Sequence, residues 1–296
     1  MSGSILTQTG AVTQPSLKTE TSSDGYLNSI EYANCCKKNY NSTKCRVEEY
    51  VRSQEGNNEY LLEKVFPGRL FNDNFPSSIY AAGVLVGQQC WNINGRRNGA
   101  NLPNASCFAS ANEAGGGLNM QAIAGGQDND YTAIHFGDNY ITLLSQSPHL
   151  YLIGEPVEIT NVAHLGGLVD NTRPSDTNAF ALPDNCILIM DDTDVDGNLH
   201  FIVRSNGVNQ TDENLGALAA QHFEGYIVVS DDGEGVKCIL GGTEVVGEVD
   251  ISGAAYADLR AARLQPYFAV VNRAAAQLRQ FHLHDFRMIM DAGGLT

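Results

Sequence analysis

After about residue 66 the chain is written in short runs of alternating apolar and polar residues, broken by Gly, Asn and Asp clusters. That period of two predicts strands, among them Asn119–Ala124, Tyr131–Phe136, His149–Leu152, Cys186–Met190, His200–Arg204, Phe223–Ser230, Val236–Leu240, Gly247–Ile251, Pro266–Val271 and Phe281–Met290. GGQDND, DDTDVDGN, SNGVNQTDEN, DDGEG and GGTE read as the turns between them. The segment SDDGEG predicts a hairpin loop, with Gly233 and Gly235 supplying positive φ. In the last strand the apolar phase switches from Phe281 and Leu283 to Phe286, Met288 and Met290, which predicts a β-bulge near Asp285. Ala254–Arg263 reads as a short turn of helix.

Before residue 66 the pattern differs. The first 30 residues are rich in Ser, Thr and Gln and read as an extended arm. Within 44–66, Val47, Tyr50 and Val51, and then Tyr60, Leu61, Leu62 and Val65, fit one or two short helices too small to build a core. The expected organisation is an arm over 1–64 and a β-sandwich over 65–296.

Composition supports this picture. Thirty glycines and a charged fraction of only 18% suit a turn-rich sandwich and exclude a long coiled coil. The formal net charge of −16 argues against nucleic acid as a partner. Residues 1–64 hold 7 basic and 8 acidic side chains against 11 and 26 in 65–296, so the acidity belongs to the sandwich. No apolar run reaches the ~18 residues of a membrane span, and the first residues lack the basic and apolar regions of a secretory signal. The seven cysteines include no CxxC pair, so reduced thiols are expected; a disulfide among Cys35, Cys36 and Cys45 stays undecided.

Candidate chemistry is sparse. Asp192, Asp194, Asp196 and Gly197 match positions 1, 3, 5 and 6 of an EF-hand loop, but position 12 is Val203 and a strand follows, which leaves a looser calcium site as the only candidate cofactor. A glycosidase on one strand would want carboxylates at i and i+2. The nearest match, Glu248-Val249-Asp250, has no third acid, and Glu155 and Glu158 are three apart. No GxSxG elbow or P-loop occurs. His282 and His284 could pair on one strand face, although an ordinary outward face accounts for them equally. Trp91, the single tryptophan, is a candidate platform for ligand stacking, with core packing as the alternative.

Taken together, residues 66–291 resemble the concanavalin A-like (LamG-like) jelly-roll domains of bacteriophage structural proteins. The matching text runs from FNDNFPSS at Phe71–Ser78 through AGGGLNMQAIAGGQDNDYTAIHFGDN at Ala114–Asn139 and FEGYIVVSDDGEGVKCILGGTEVVGEV at Phe223–Val249 to LQPYFAVVNRAAAQLRQFHLHDFRMIMD at Leu264–Asp291. The resemblance implies an all-β, concanavalin A-like jelly-roll β-sandwich preceded by an N-terminal arm with short helices. It also implies a non-enzymatic virion structural protein, above all a capsid-decorating (cement) protein on the capsid surface. On that reading Lys37, Lys38, Lys44 and Arg46 contact the major capsid protein and the chain self-associates as a homotrimer. The alternative is a tail fibre, receptor-binding protein or carbohydrate-binding module that recognises host glycans. Neither reading calls for nucleic acid or a membrane.

Overall fold

The computed structural model describes side chains at residues 91–93, 95, 117–122, 129–137, 141–170, 182–218, 222–274 and 278–291, and only the backbone of further strands between residues 18 and 109. Five strands, β1 (Lys18–Thr21), β2 (Leu27–Tyr32), β3 (Cys36–Asn41), β4 (Arg46–Arg52) and β5 (Glu59–Lys64), pair in sequence order as an antiparallel sheet. The short helices expected in 44–66 are therefore strands, with Tyr50 opposite Leu61. Val47, Val51, Tyr50 and Tyr60 favour the pleated state, and over so short a run helical spacing does not outweigh that preference.

The rest is a sandwich. In chain order it holds β6 (Gly68–Asp73), β7 (Leu85–Val86), β8 (Trp91–Arg97), β9 (Ala100–Leu102), β10 (Cys107–Ala109), β11 (Leu118–Ala122), β12 (Tyr131–His135), β13 (His149–Pro156) and β14 (Val162–Val169). Then follow β15 (Cys186–Asp192), β16 (Asn198–Ser205), β17 (Val208–Ala217), β18 (Phe223–Val229), β19 (Gly235–Leu240), β20 (Thr243–Asp250), helix α1 (Ala257–Ala261), β21 (Gln265–Asn272) and β22 (Arg279–Asp291). The front sheet runs β10-β11-β22-β13-β18-β19-β20, with β6 also on β22. The back sheet runs β17-β16-β15-β14-β21-β12-β8-β7, with β9 on β8. Every pairing is antiparallel, as the alternating pattern predicts.

Alternate residues of both sheets fill the interior. Leu118, Met120, Leu152, Ile227, Cys238, Phe281 and Met288 of the front sheet meet Ile134, Leu168, Ile189, Phe201 and Phe268 of the back sheet. Phe268 and Phe281 touch across the layers, with ring centroids 4.6 Å apart. Each such side chain contributes about 1.5–3 kcal/mol by burial. One polar pair lies inside: the Asp191 carboxylate accepts from His164 Nδ1 at 2.9 Å beside a cavity of about 20 Å3, room for one water.

The last strand behaves as its phase switch predicts. Gly154 pairs with Leu283 and Ile153 with Asp285, so His284 is the extra, bulged residue. The hairpin over 230–235 also forms, with Gly233 at φ +74° beneath Leu144; Gly235 needs no positive φ. Tyr267 faces the opposite way from Phe268 and joins a second apolar cluster on the outer side of the back sheet. Strand β17 replaces part of an expected turn; both its faces are largely exposed, so no apolar alternation marks it.

Candidate functional site

Residues that alternate with the core on the front sheet form an aromatic and charged array on its outer side. On β18, Gly225 and Ile227 point inward while Glu224 and Tyr226 take the other parity; on β13, Leu150 and Leu152 alternate with Tyr151 and Ile153. After the bulge, β22 turns Phe286 and Met288 inward and sets Asp285 and Arg287 on the outer side. The register then builds two rows: Tyr226, Tyr151 and Arg287 in one, and Glu224, Ile153 and Asp285 in the next.

The contacts knit the rows together. The Tyr151 and Tyr226 rings lie 4.5 Å apart, and the Arg287 guanidinium sits 5.6 Å over the Tyr151 ring. Arg287 Nη2 donates to Asp285 at 2.9 Å, and the Tyr226 hydroxyl donates to Glu224. Burial, then the neighbouring Glu224 charge, raises the Tyr151 hydroxyl above the usual phenol range. Burial and the bond to Glu224 do the same at Tyr226. Both phenols therefore stay protonated at neutral pH and act as donors, not as bases. Tyr151, Ile153, Glu224, Asp285 and Arg287 remain half-buried, so the array is reachable from solvent. Glu224 and Asp285 both stand opposite Ile153, two strand spacings apart, roughly 10 Å between backbones.

The outer side of the back sheet offers nothing comparable. Leu165, Ala269, Ala133 and Leu188 are fully buried there, and Met190 and Tyr267 nearly so. At one end Asp192 takes the Arg273 guanidinium on both oxygens, and Arg273 also donates to Asn129. At the β16 edge, His200 Nδ1 donates to Asp212 at 2.7 Å and Nε2 to Asp196 at 3.1 Å. An open cleft of about 740 Å3 at the strand ends is lined by Asp170, Asp184, Asn185, Asn206, Asp258 and Arg263. Among the described residues that line it there is no aromatic platform. Burial holds Asp170 above the usual carboxylate range against the bonds from Asn185.

The residues expected from sequence fall as follows. Asp192, Asp194 and Asp196 share one turn, but Asp192 and Asp194 are drawn to Arg273, the second at 3.8 Å, while Asp196 goes to Asn198 and His200. Arg273 supplies Asp192 with the positive charge a cation would bring. Among the described residues no three His, Cys, Asp or Glu side chains gather around one point. Trp91 is not a ligand platform: it is 1% exposed and stacks between Phe136 (4.2 Å) and Phe286 (5.0 Å) inside the sandwich. The bulge at His284 breaks the i, i+2 relation expected of His282 and His284. Lys37 and Lys38 in β3 and Arg46 in β4 lie where side chains fall outside the described residues, and Lys44 falls outside them altogether. So do the thiols of Cys35, Cys36 and Cys45; Cys186 and Cys238 are buried free thiols, and burial pushes Cys238 up to about 12. Among the described residues no helix is long and apolar enough to cross a membrane.

No protein-family model and no curated protein sequence matches the chain. Solved structures do share its fold. One, reported with endo-acting O-glycanases of the human gut microbiota that initiate mucin breakdown, matches at TM-score 0.50 and 10% identity, over 74% of this chain and 98% of that one. A putative β-glucanase from Mycobacterium abscessus matches at TM-score 0.50 and 13% identity, with the same coverage. An alginate lyase matches at TM-score 0.46 and 13% identity, over 68% and 90%. At such identities the likeness establishes the fold, a jelly-roll sandwich of the concanavalin A-like class. It also corrects the expectation of a non-enzymatic protein, because enzymes that cleave glycans are built on this sandwich. The sequence argument weighed carboxylates along one strand, whereas the folded sheet sets Glu224 and Asp285 on either side of a third strand.

Proposed function

We propose that this chain is a carbohydrate-active protein that holds a glycan across β18, β13 and β22 on the outer side of the front sheet. The observation that carries the reading is the Tyr151–Tyr226 pair flanked by Glu224, Asp285 and Arg287 on one half-open surface. A sugar ring presents an apolar C–H face and a rim of hydroxyls. Tyrosine faces suit the first, and carboxylates and phenols the second. Glu224 and Asp285 are also what hydrolysis of a glycosidic bond would use. They stand on either side of β13, roughly 10 Å apart between backbones, so a sugar lying over Ile153 would have a carboxylate on each flank.

The test is affinity electrophoresis and reducing-end release on a glycan panel with the full chain, Tyr151→Ala and Glu224→Gln. Tyr151→Ala should weaken retention about tenfold or more, the loss of roughly 1.4 kcal/mol. Glu224→Gln should abolish any release while retention persists. Unchanged retention by Tyr151→Ala removes the site.

This reading agrees with the receptor-binding or carbohydrate-binding alternative considered from sequence. The capsid-decorating role and the phage origin came from the resemblance over 66–291, with attachment assigned to the arm over 1–64, and no feature of the described sandwich argues for them.

A further inference from the structure

We infer that the glycan taken by this face is uncharged, free of uronate, sulfate and sialic acid groups. This rests on the reading of the front-sheet array as a glycan site.

Charge sets the preference. A polyanionic chain binds where several basic side chains can each meet an anionic group along its length. Arg287 is the one basic residue in the array, and it already lies on Tyr151 and donates to Asp285. Among the described residues of the same sheet, Lys237 of β19 faces Glu244 at 3.5 Å. The other described cations are engaged elsewhere. Arg273 is held by Asp192, Arg279 by the Asn161 and Leu278 carbonyls, Arg260 by the Ile251 and Gly253 carbonyls, and Arg204 by Asn209. Arg263 lies in the acidic cleft with Asp170, Asp184 and Asp258. Against these stand Glu224 and Asp285 within the array and the exposed Glu155 at the end of β13. A uronate laid over Tyr151 would meet those carboxylates with Arg287, already bonded to Asp285, as the one cation of the array among the described residues, and juxtaposed like charges are strongly unfavourable. A neutral sugar meets the same carboxylates as hydroxyl donors and gains hydrogen bonds. Arg287 already gives Nη2 to Asp285 at 2.9 Å, so a ligand anion drawn to this guanidinium would come up against that carboxylate as well.

The experiment is affinity electrophoresis of the full chain through gels carrying a neutral β-glucan, desialylated mucin O-glycans, intact sialylated mucin or alginate, each at low and high salt. At least one neutral polymer should retard the protein, with roughly tenfold tighter apparent binding than alginate at low salt. Desialylated mucin should retard it at least as strongly as the sialylated form. High salt should narrow the gap by screening the repulsion. Alginate retarding the protein as strongly as the neutral polymers, with that retention lost in Tyr151→Ala, would overturn the charge inference and leave the site standing. Failure of every polymer to retard the protein overturns both. Asp285→Asn guards against a folding artefact: with one repulsive carboxylate removed it should gain affinity for alginate relative to the neutral polymer, and no relative gain counts against the inference.

Discussion

The two outer surfaces of the sandwich are made by the same period-two alternation and end in opposite chemistry. On the back sheet the outward positions are Ala133, Leu165, Leu188, Met190, Ala269 and Val271, and they are buried. On the front sheet they are Glu224, Tyr226, Tyr151, Ile153, Asp285 and Arg287, mostly half-buried and bonded to one another. The strands of the back sheet therefore read as continuous apolar runs, CILIM and YFAVV, while those of the front sheet read as alternation. One surface is a second core; the other is where water-soluble chemistry can take place.

Mutations can break that contrast, and the largest effect should come from the back sheet. Leu165→Asp would place a charge at a fully buried position in the second cluster and should cost more than about 3 kcal/mol in a denaturant melt. A cost under about 1 kcal/mol would mean that the surface is not a core. Gly167→Ala follows. A Cβ there would lie 2.0 Å from the Ile187 carbonyl, forcing β14 off β15, at about 2–3 kcal/mol in the same melt. On the front sheet Arg287→Ala should cost about 1–2 kcal/mol, because it strips a largely buried Asp285 of its partner at 2.9 Å. A cost matching that of Leu165→Asp would show that the two surfaces do not differ in kind.

The smallest effect sharpens the contrast at the sheet edge. Burial alone would lower the His200 pKa, but the hydrogen bonds and charges of Asp212 and Asp196 outweigh it, so the net shift is upward. A pKa raised on folding means that the folded state binds the proton more tightly. The stabilisation is then fully present below about pH 6.5, the unfolded value, and is lost as pH rises through the raised folded value. His200 is partly exposed, so screening keeps the term to about 0.5 kcal/mol or less. Urea melts across that window should show it in the parent chain and not in His200→Gln; identical pH profiles would remove the assignment.

Much of the fold was legible because local signals agreed with tertiary structure. The hairpin at 230–235 had a glycine where φ is positive, and the bulge in β22 had a visible change of apolar phase. Strand β17 was not legible, since an edge strand open on both faces has no reason to alternate. Tyr267 and Phe268 face opposite sides of β21, and because both of its faces are buried the sequence does not distinguish them. The candidate site was invisible for a different cause. Glu224, Tyr151 and Asp285 come from three strands, and their proximity follows from register, which a single strand's sequence does not encode. The residues that did stand out, Trp91 and the acidic run at 191–196, were absorbed by the core and by Arg273.

The extra residue at His284 has one more consequence. It divides β22 into two halves that share the β13 edge and take different strands on the other: Arg279–Leu283 lies along β11, and Phe286–Asp291 along β6. With all 13 residues of β22 in place, this offset is what sets Asp285 and Arg287 outward while both halves keep their apolar side chains inside. If the strand kept His284 and paired regularly, one half would turn over, sending either Phe281 and Leu283 or Phe286 and Met288 out of the core. Deleting His284 itself would instead leave Leu283 inward and Asp285 outward in plain alternation, so that one deletion should be tolerated by the fold where deletions farther along either half are not. A lineage could shed the bulge together with its extra residue and keep both core and outer row, but could not straighten the strand around that residue.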